Sequence, residues 1–148
     1  MSKKKSRDIE LFIVDVFVAI EKIKEYTQTF DTEENFRYSS LHWDAVIREL
    51  EIIGEALNRL LEDDYFASLS PDYFRKIVNF RNVIVHGYFG IDSSEVWNII
   101  TVKLDSLVTD MLEIIKDKID LTDAIESQIE DYKILKDART VKYLMLLL

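Results

Sequence analysis

The sequence predicts an all-α protein, an up-and-down bundle of four to five helices with an extra C-terminal helix. Its 148 residues include only three glycines and one proline, which leaves little material for tight turns and strand corners. Hydrophobic residues make up 48% and charged residues 32% of the chain, as is typical of a soluble globular domain. Apolar residues recur at helical rather than alternating spacing, which favours a few long helices.

The first half of the chain predicts three helices. Apolar spacing places the first from about Arg7 to about Tyr26. The stretch Asp31-Thr32-Glu33-Glu34 combines a capping residue with an acidic first turn and predicts a short second helix. A longer helix begins at Ser39-Ser40 and has Gly54 in its middle. Glycine costs about 1 kcal/mol relative to alanine inside a helix, so we expect a close helix–helix approach there.

The second half predicts two further long helices. Ser70-Pro71 marks a helix start, with proline at the first position, and the helix should end near Gly87 or Gly90. The stretch from Asp92 to Glu95 caps the next helix, whose apolar pattern extends to Ile115.

We place residues 1–120 in one helical domain and residues 121–148 in a C-terminal helical extension. The extension ends in the apolar run Tyr143-Leu144-Met145-Leu146-Leu147-Leu148, which should be covered. Two alternatives stay open, because this run could pack on the same bundle or on another subunit.

Composition excludes several classes of protein. The chain has no cysteine, which rules out disulfides and thiolate metal sites and fits a cytoplasmic location. No run of about 18 apolar residues is present, so we predict no membrane span. The net charge of −9 disfavours nucleic-acid binding in general, although Arg75, Lys76 and Arg81 outnumber Asp72 in the stretch before Tyr88.

One segment contains four side chains that can bind a phosphate group or take part in its reactions: Arg81, Asn82, His86 and Tyr88. On an ideal helix Asn82 and His86 share a face, whereas Arg81 and His86 lie about 140° apart. The two can therefore share a site only if Arg81 reaches around, if the helix unwinds near Gly87, or if a second copy brings both pairs into one cleft.

This set of residues suits cleavage of RNA, in which the neighbouring 2′-hydroxyl is the nucleophile. His86 can act as the acid or base because its pKa lies naturally near neutrality. Arg81 can stabilise the developing phosphorane charge, and Asn82 can orient the imidazole or donate to the phosphate. Spacing alone leaves structural roles open, since a histidine at a helix end and an arginine paired with a carboxylate are both common.

The pattern Arg81-Asn82-x-x-x-His86-x-Tyr88 resembles the Arg-x4-6-His-x-Tyr motif of the HEPN superfamily. Residues 45–56 resemble the helix that precedes the motif in HepT-type toxins, and residues 85–92 resemble its continuation. The resemblance covers about Arg7 to Lys118. The residues after Leu121 have no counterpart in it.

The resemblance implies an all-α homodimer, or a higher oligomer, that acts as a metal-independent ribonuclease toxin on RNA at a composite cleft. Catalytic roles carry over to Arg81 and His86, with Asn82 in support. The implied partner is an MntA-type nucleotidyltransferase antitoxin that adds AMP to Tyr88. No cofactor and no metal are implied. The rival interpretations are a non-catalytic subunit that presents substrate or nucleotide to a nucleotidyltransferase, and a structural oligomerisation module.

Other candidates are weaker. His42, beside Trp43, is expected to have a role at a helix start or on the surface. Glu51 and Glu55 are one turn apart, but no histidine joins them at ligand spacing, so we predict no metal site there. An ion pair from Glu55 to Arg59 is the simpler interpretation. Arg48 is expected to face the cleft from the second long helix.

Overall fold

The computed structural model of the chain describes residues 3–87 and 90–148. All regular secondary structure in these two ranges is helical, which confirms the predicted all-α class. None of the helices in them is long and apolar enough to cross a membrane. In chain order the helices are α1 (Lys3–Thr27), α2 (Glu33–Arg37), α3 (Ser40–Leu60), α4 (Asp64–Leu69), α5 (Asp72–His86), α6 (Ser93–Asn98), α7 (Leu104–Ile115), α8 (Thr122–Ile134) and α9 (Ala138–Leu147).

Two predicted helix starts, at Thr32 and Asp92, are confirmed by side-chain caps, whereas Pro71 lies just before α5 as its N-cap residue and not at the predicted first helical position. The Thr32 side chain accepts a hydrogen bond from the backbone N–H of Asn35 at 3.2 Å, and Asp92 caps α6 in a similar way. One turn of π-helix, Ile99–Lys103, joins α6 to α7, so the predicted helix from Asp92 to Ile115 is continuous but locally widened.

The sequence reasoning missed α4, a six-residue helix between α3 and α5. Its start is fixed by Asp63, whose carboxylate accepts the backbone N–H of Phe66 at 2.9 Å. Phe66 is fully buried and anchors the helix in the core. A helix this short holds too few residues for apolar periodicity to reveal it.

The main core lies between α1, α3, α5 and α7 and includes Phe17, Leu50, Phe74, Ile84 and Leu107. The expected close approach at Gly54 is confirmed. A β-carbon placed on Gly54 would lie 2.2 Å from the β-carbon of Arg81, well inside van der Waals contact. The glycine therefore lets α3 and α5 meet at the residue that begins the motif.

The C-terminal extension forms a helical hairpin, α8 and α9, where the sequence predicted one helix. It packs on the outer face of α1 through a second apolar cluster with Val14, Val18, Ile125, Ile129 and Leu144 at its centre. Leu144 of the apolar end is thus buried within the same chain. Part of the run stays uncovered, because Leu146 remains 78% exposed.

Candidate active site

Helix α5 positions the motif through its own amphipathic pattern. Phe80 and Ile84 are buried in the core, which leaves the residues between them at the helix edge and outer face. Arg81 lies at the edge that faces α3, whereas Asn82 and His86 are exposed. The burial of Phe80 and Ile84 therefore fixes the directions in which the three polar side chains point.

Two hydrogen-bonding contacts hold the Arg81 guanidinium in place. Its Nη2 lies 2.7 Å from Oε2 of Glu55, and its Nη1 donates to Oδ1 of Asn82 at 3.0 Å. The side chain is 27% exposed, so its charge still reaches the surface. The same Glu55 carboxylate lies 3.5 Å from Arg59, as the sequence predicted, and so bridges two arginines.

Arg81 borders a cleft of about 250 Å³ between α1, α3 and α5. The cleft is lined by Phe12, Asp15, Arg48, Glu51, Ile52, Glu55, Ala56, Arg81 and Val85. Arg48 also lines this cleft, and its Nη1 donates to Oε2 of Glu51 at 3.1 Å. The lining holds three carboxylates and two guanidiniums, so its formal charge is slightly negative.

Asp15 is the carboxylate that α1 contributes to the cleft. Burial raises the pKa of its carboxyl, and a hydrogen bond from Gln128 of α8, at 2.9 Å, opposes part of that rise. The contact ties the C-terminal hairpin to the edge of the cleft. Sequence reasoning missed Asp15, because its partner lies 113 residues away along the chain.

His86 is the last residue of α5 and is exposed, and it does not line the cleft that holds Arg81. No residue within 3–87 or 90–148 hydrogen-bonds to its ring. Among the described residues no hydrogen bond or ion pair joins Arg81 to His86. Asn82 bonds to Arg81 in this structure, and Tyr88 lies outside the described residues.

The remaining candidates have structural partners. Nδ1 of His42 lies 2.7 Å from Oγ of Ser39, the residue that precedes α3, and its ring packs edge-on against Phe30. This confirms the expected helix-start role of His42. The ion pair between Glu55 and Arg81 was not foreseen, since local spacing pointed only to Arg59.

Comparison with known proteins shows that this chain is similar to proteins named as ribonucleases. The family model described as Ribonuclease HepT-like matches residues 17–116, which include all of α3 and α5. "Putative RNase MJ0125" of Methanocaldococcus jannaschii is 31% identical over 112 residues, 75% of this chain and 94% of that protein. "Putative RNase MJ1380" of the same organism is 34% identical over 94 residues, 64% of this chain and 84% of that protein.

A third relative comes from Thermococcus cleftensis. It is named "Probable ribonuclease HepT" and is 35% identical over 97 residues, 65% of this chain and 86% of that protein. No solved structure matches the chain.

Proposed function

Because the chain belongs to the HepT-like ribonuclease family, we propose that it cleaves phosphodiester bonds in RNA through Arg81 and His86. The observation that carries the proposal is the fixed Arg81 guanidinium. Glu55 and Asn82 each take one of its N–H groups, and no other residue in the described ranges bonds to the remaining donors, which can bind phosphate oxygens. A guanidinium held before substrate arrives needs little reorganisation when charge develops on the phosphorane.

The proposed reaction needs no metal ion. The 2′-oxygen attacks the adjacent phosphorus, the bond from phosphorus to the 5′-oxygen breaks, and a 2′,3′-cyclic phosphate and a 5′-hydroxyl result. His86 accepts the proton of the 2′-hydroxyl, and water protonates the departing 5′-oxygen. Arg81 stabilises the extra negative charge on the phosphorane oxygens.

We propose that the two residues meet across a homodimer. Glu55 tethers Arg81 to α3, and His86 is exposed at the end of α5; among the described residues no contact joins the two. Val83, in the turn before His86, is 49% exposed and supplies apolar surface for a partner. Around a two-fold axis, α5 of each copy then presents its His86 to the Arg81 of the other.

Cleavage by purified protein tests this proposal. The wild type should degrade single-stranded RNA in the presence of EDTA. His86→Ala should lower the cleavage rate by a factor of about 100 or more, since general acid–base catalysis usually contributes at least that much. His42→Ala is the matched control, because His42 contacts Ser39 and Phe30 rather than the site. Equal cleavage by wild type and His86→Ala would remove His86 from the mechanism.

We further propose that the protein is the toxin of a toxin–antitoxin pair and that a nucleotidyltransferase antitoxin modifies Tyr88. The phenol oxygen would attack the α-phosphorus of ATP, releasing pyrophosphate and a proton and leaving AMP on the ring. The added negative charge next to His86 would repel RNA phosphates.

Growth of cells that express the chain without its partner gene, compared with His86→Ala, tests toxicity. Intact mass after incubation with the partner and ATP should rise in steps of one AMP. Tyr88→Phe should abolish the increase, whereas Tyr38→Phe, at a tyrosine that is 72% exposed, should keep it. An increase that survives Tyr88→Phe would assign the modification elsewhere.

A further inference from the structure

The candidate cleft cannot by itself account for binding a polyanion. Its carboxylates outnumber its guanidiniums, and both arginines are paired with glutamates. The chain as a whole carries −9. Since affinity for nucleic acid rests largely on lysine and arginine, an RNA substrate needs a positive surface beside the cleft.

Residues 122–148 of the C-terminal hairpin contain five acidic and four basic residues, and the basic ones all lie in its second part. Residues 132–148 contain four basic residues and a single acidic one, Asp137, which gives this stretch a net charge of +3. Arg139 is engaged by Glu21 and Glu25 of α1, at 3.3 and 3.4 Å. The other basic residues of the stretch are three lysines: Lys133, Lys136 and Lys142.

These lysines surround a groove of about 470 Å³ between the end of α8 and the start of α9. The groove is lined by Tyr132, Lys133, Lys136, Asp137, Ala138, Val141, Lys142 and Met145. Lys133 has only an exposed ion pair with Glu130, which is worth little in water. Lys136 and Lys142 are exposed and have no ion-pair partner among the described residues.

The turn between the two helices holds Lys136 in a left-handed conformation, with φ of 57°. The backbone N–H of Lys136 donates to Lys133, and that of Asp137 donates to Tyr132, in the pattern of a Schellman motif. Glycine is the usual residue at this position, because the left-handed conformation is less favourable for a residue with a β-carbon, such as lysine.

Helix α8 links the groove to the cleft. Gln128 of α8 hydrogen-bonds to Asp15, which lines the cleft. Tyr132, which lines the groove, follows Gln128 by four residues, one helical turn or about 6 Å. One turn of α8 therefore separates a residue of the groove from the residue that contacts the cleft.

We propose that this groove binds single-stranded RNA as an extension of the substrate site. Lys133, Lys136 and Lys142 bind phosphates, and the apolar floor with Tyr132 accommodates a base. The groove lies beyond residues 17–116, the part of the chain that the family model matches. The inference rests on the proposed ribonuclease function, since RNA is the ligand that function requires.

Salt-dependent binding tests the inference. A short fluorescent single-stranded RNA is titrated into His86→Ala protein, so that cleavage does not interfere. Adding Lys136→Ala and Lys142→Ala should make the decrease of log affinity with log salt concentration less steep, by about 1.4. The two substitutions should also weaken RNA binding about ten-fold at about 0.15 M salt. In the cleavage-competent protein the same pair should raise KM and leave kcat unchanged.

Lys116→Ala with Lys118→Ala is the matched control, because both side chains are exposed and the loss of charge is equal. This control should change binding far less. Equal effects of the two pairs would overturn the proposal, since net charge alone would then explain the loss. Weaker binding of polyglutamate with unchanged RNA binding would also overturn it and would assign the groove to an acidic protein.

The two proposals fail differently. If the hairpin variant binds RNA like the parent while His86→Ala still abolishes cleavage, the groove is excluded and the ribonuclease remains. If neither the wild type nor any variant cleaves RNA, the ribonuclease proposal fails whatever the binding data show.

Discussion

Gly54→Ala is expected to separate α3 from α5 and to displace Arg81. The new β-carbon would lie 2.2 Å from the β-carbon of Arg81 and 2.6 Å from its γ-carbon. The β-carbon of Arg81 is fixed by the α5 backbone, so a rotamer change of Arg81 cannot relieve the contact at 2.2 Å. The helices must move apart instead.

The contact distances set the size of the effect. Carbon atoms pack at about 3.5 to 4.0 Å, so the gap at this point must widen by more than about 1 Å. Overpacking of this kind costs about 1–3 kcal/mol. Removing a glycine from a helix interior returns about 1 kcal/mol, so the net loss of stability should be about 0–2 kcal/mol.

Gly54→Ala should reduce the rate of RNA cleavage more strongly than it reduces the stability of the fold. A misplacement of about 1 Å at a catalytic group can lower a rate about 100-fold, and the contact between Arg81 and Glu55 spans only 2.7 Å. Urea unfolding measures the first effect, and RNA cleavage by protein that is still folded measures the second.

Gly90→Ala is the matched control, because a β-carbon there meets nothing within 4 Å. It should leave both stability and cleavage near the wild-type values. If Gly54→Ala is as stable and as active as Gly90→Ala, the close approach of the two helices does not position Arg81, and the reasoning is refuted.

Three further predictions concern stability and are measured by chemical denaturation. Burial raises the pKa of Glu49 above its ordinary 4.5, so its charged form destabilises the fold as pH rises through the folded pKa. Glu49→Gln should therefore be at least as stable as the wild type at pH 7 and lose that advantage below pH 4.5; a clear loss of stability at pH 7 would contradict this. Asp117 has φ of 59°, so Asp117→Gly should stabilise by up to about 1 kcal/mol, and a loss would show that its side chain matters more than its backbone. Leu144 is fully buried between α9 and α1, so Leu144→Ala should cost about 2–5 kcal/mol, and a cost near zero would mean that the hairpin is not docked.

Local patterns made much of the fold predictable. Apolar spacing gave α1 and α3, and the caps at Thr32 and Asp92 marked helix starts. The break between α8 and α9 could not be predicted from the sequence, because the residue in the left-handed conformation there is Lys136 and not the usual glycine.

The candidate site was predictable only in part. The motif residues were found by resemblance, and helical geometry showed that Arg81 and His86 diverge. The partners of Arg81 and Asp15 are distant in sequence, so no local pattern could identify Glu55 or Gln128. The approach of α3 to α5 had one local sign, the glycine in the middle of a helix.

Complementation between two inactive variants tests the composite site most directly. Arg81→Ala and His86→Ala should each fail to cleave RNA when assayed alone. When equal amounts are unfolded and refolded together, half of the dimers should be mixed, and each of these should have one intact site. The mixture should then recover about a quarter of wild-type activity, given two-fold symmetry. A mixture as inactive as its two components would contradict a site shared between copies of the chain.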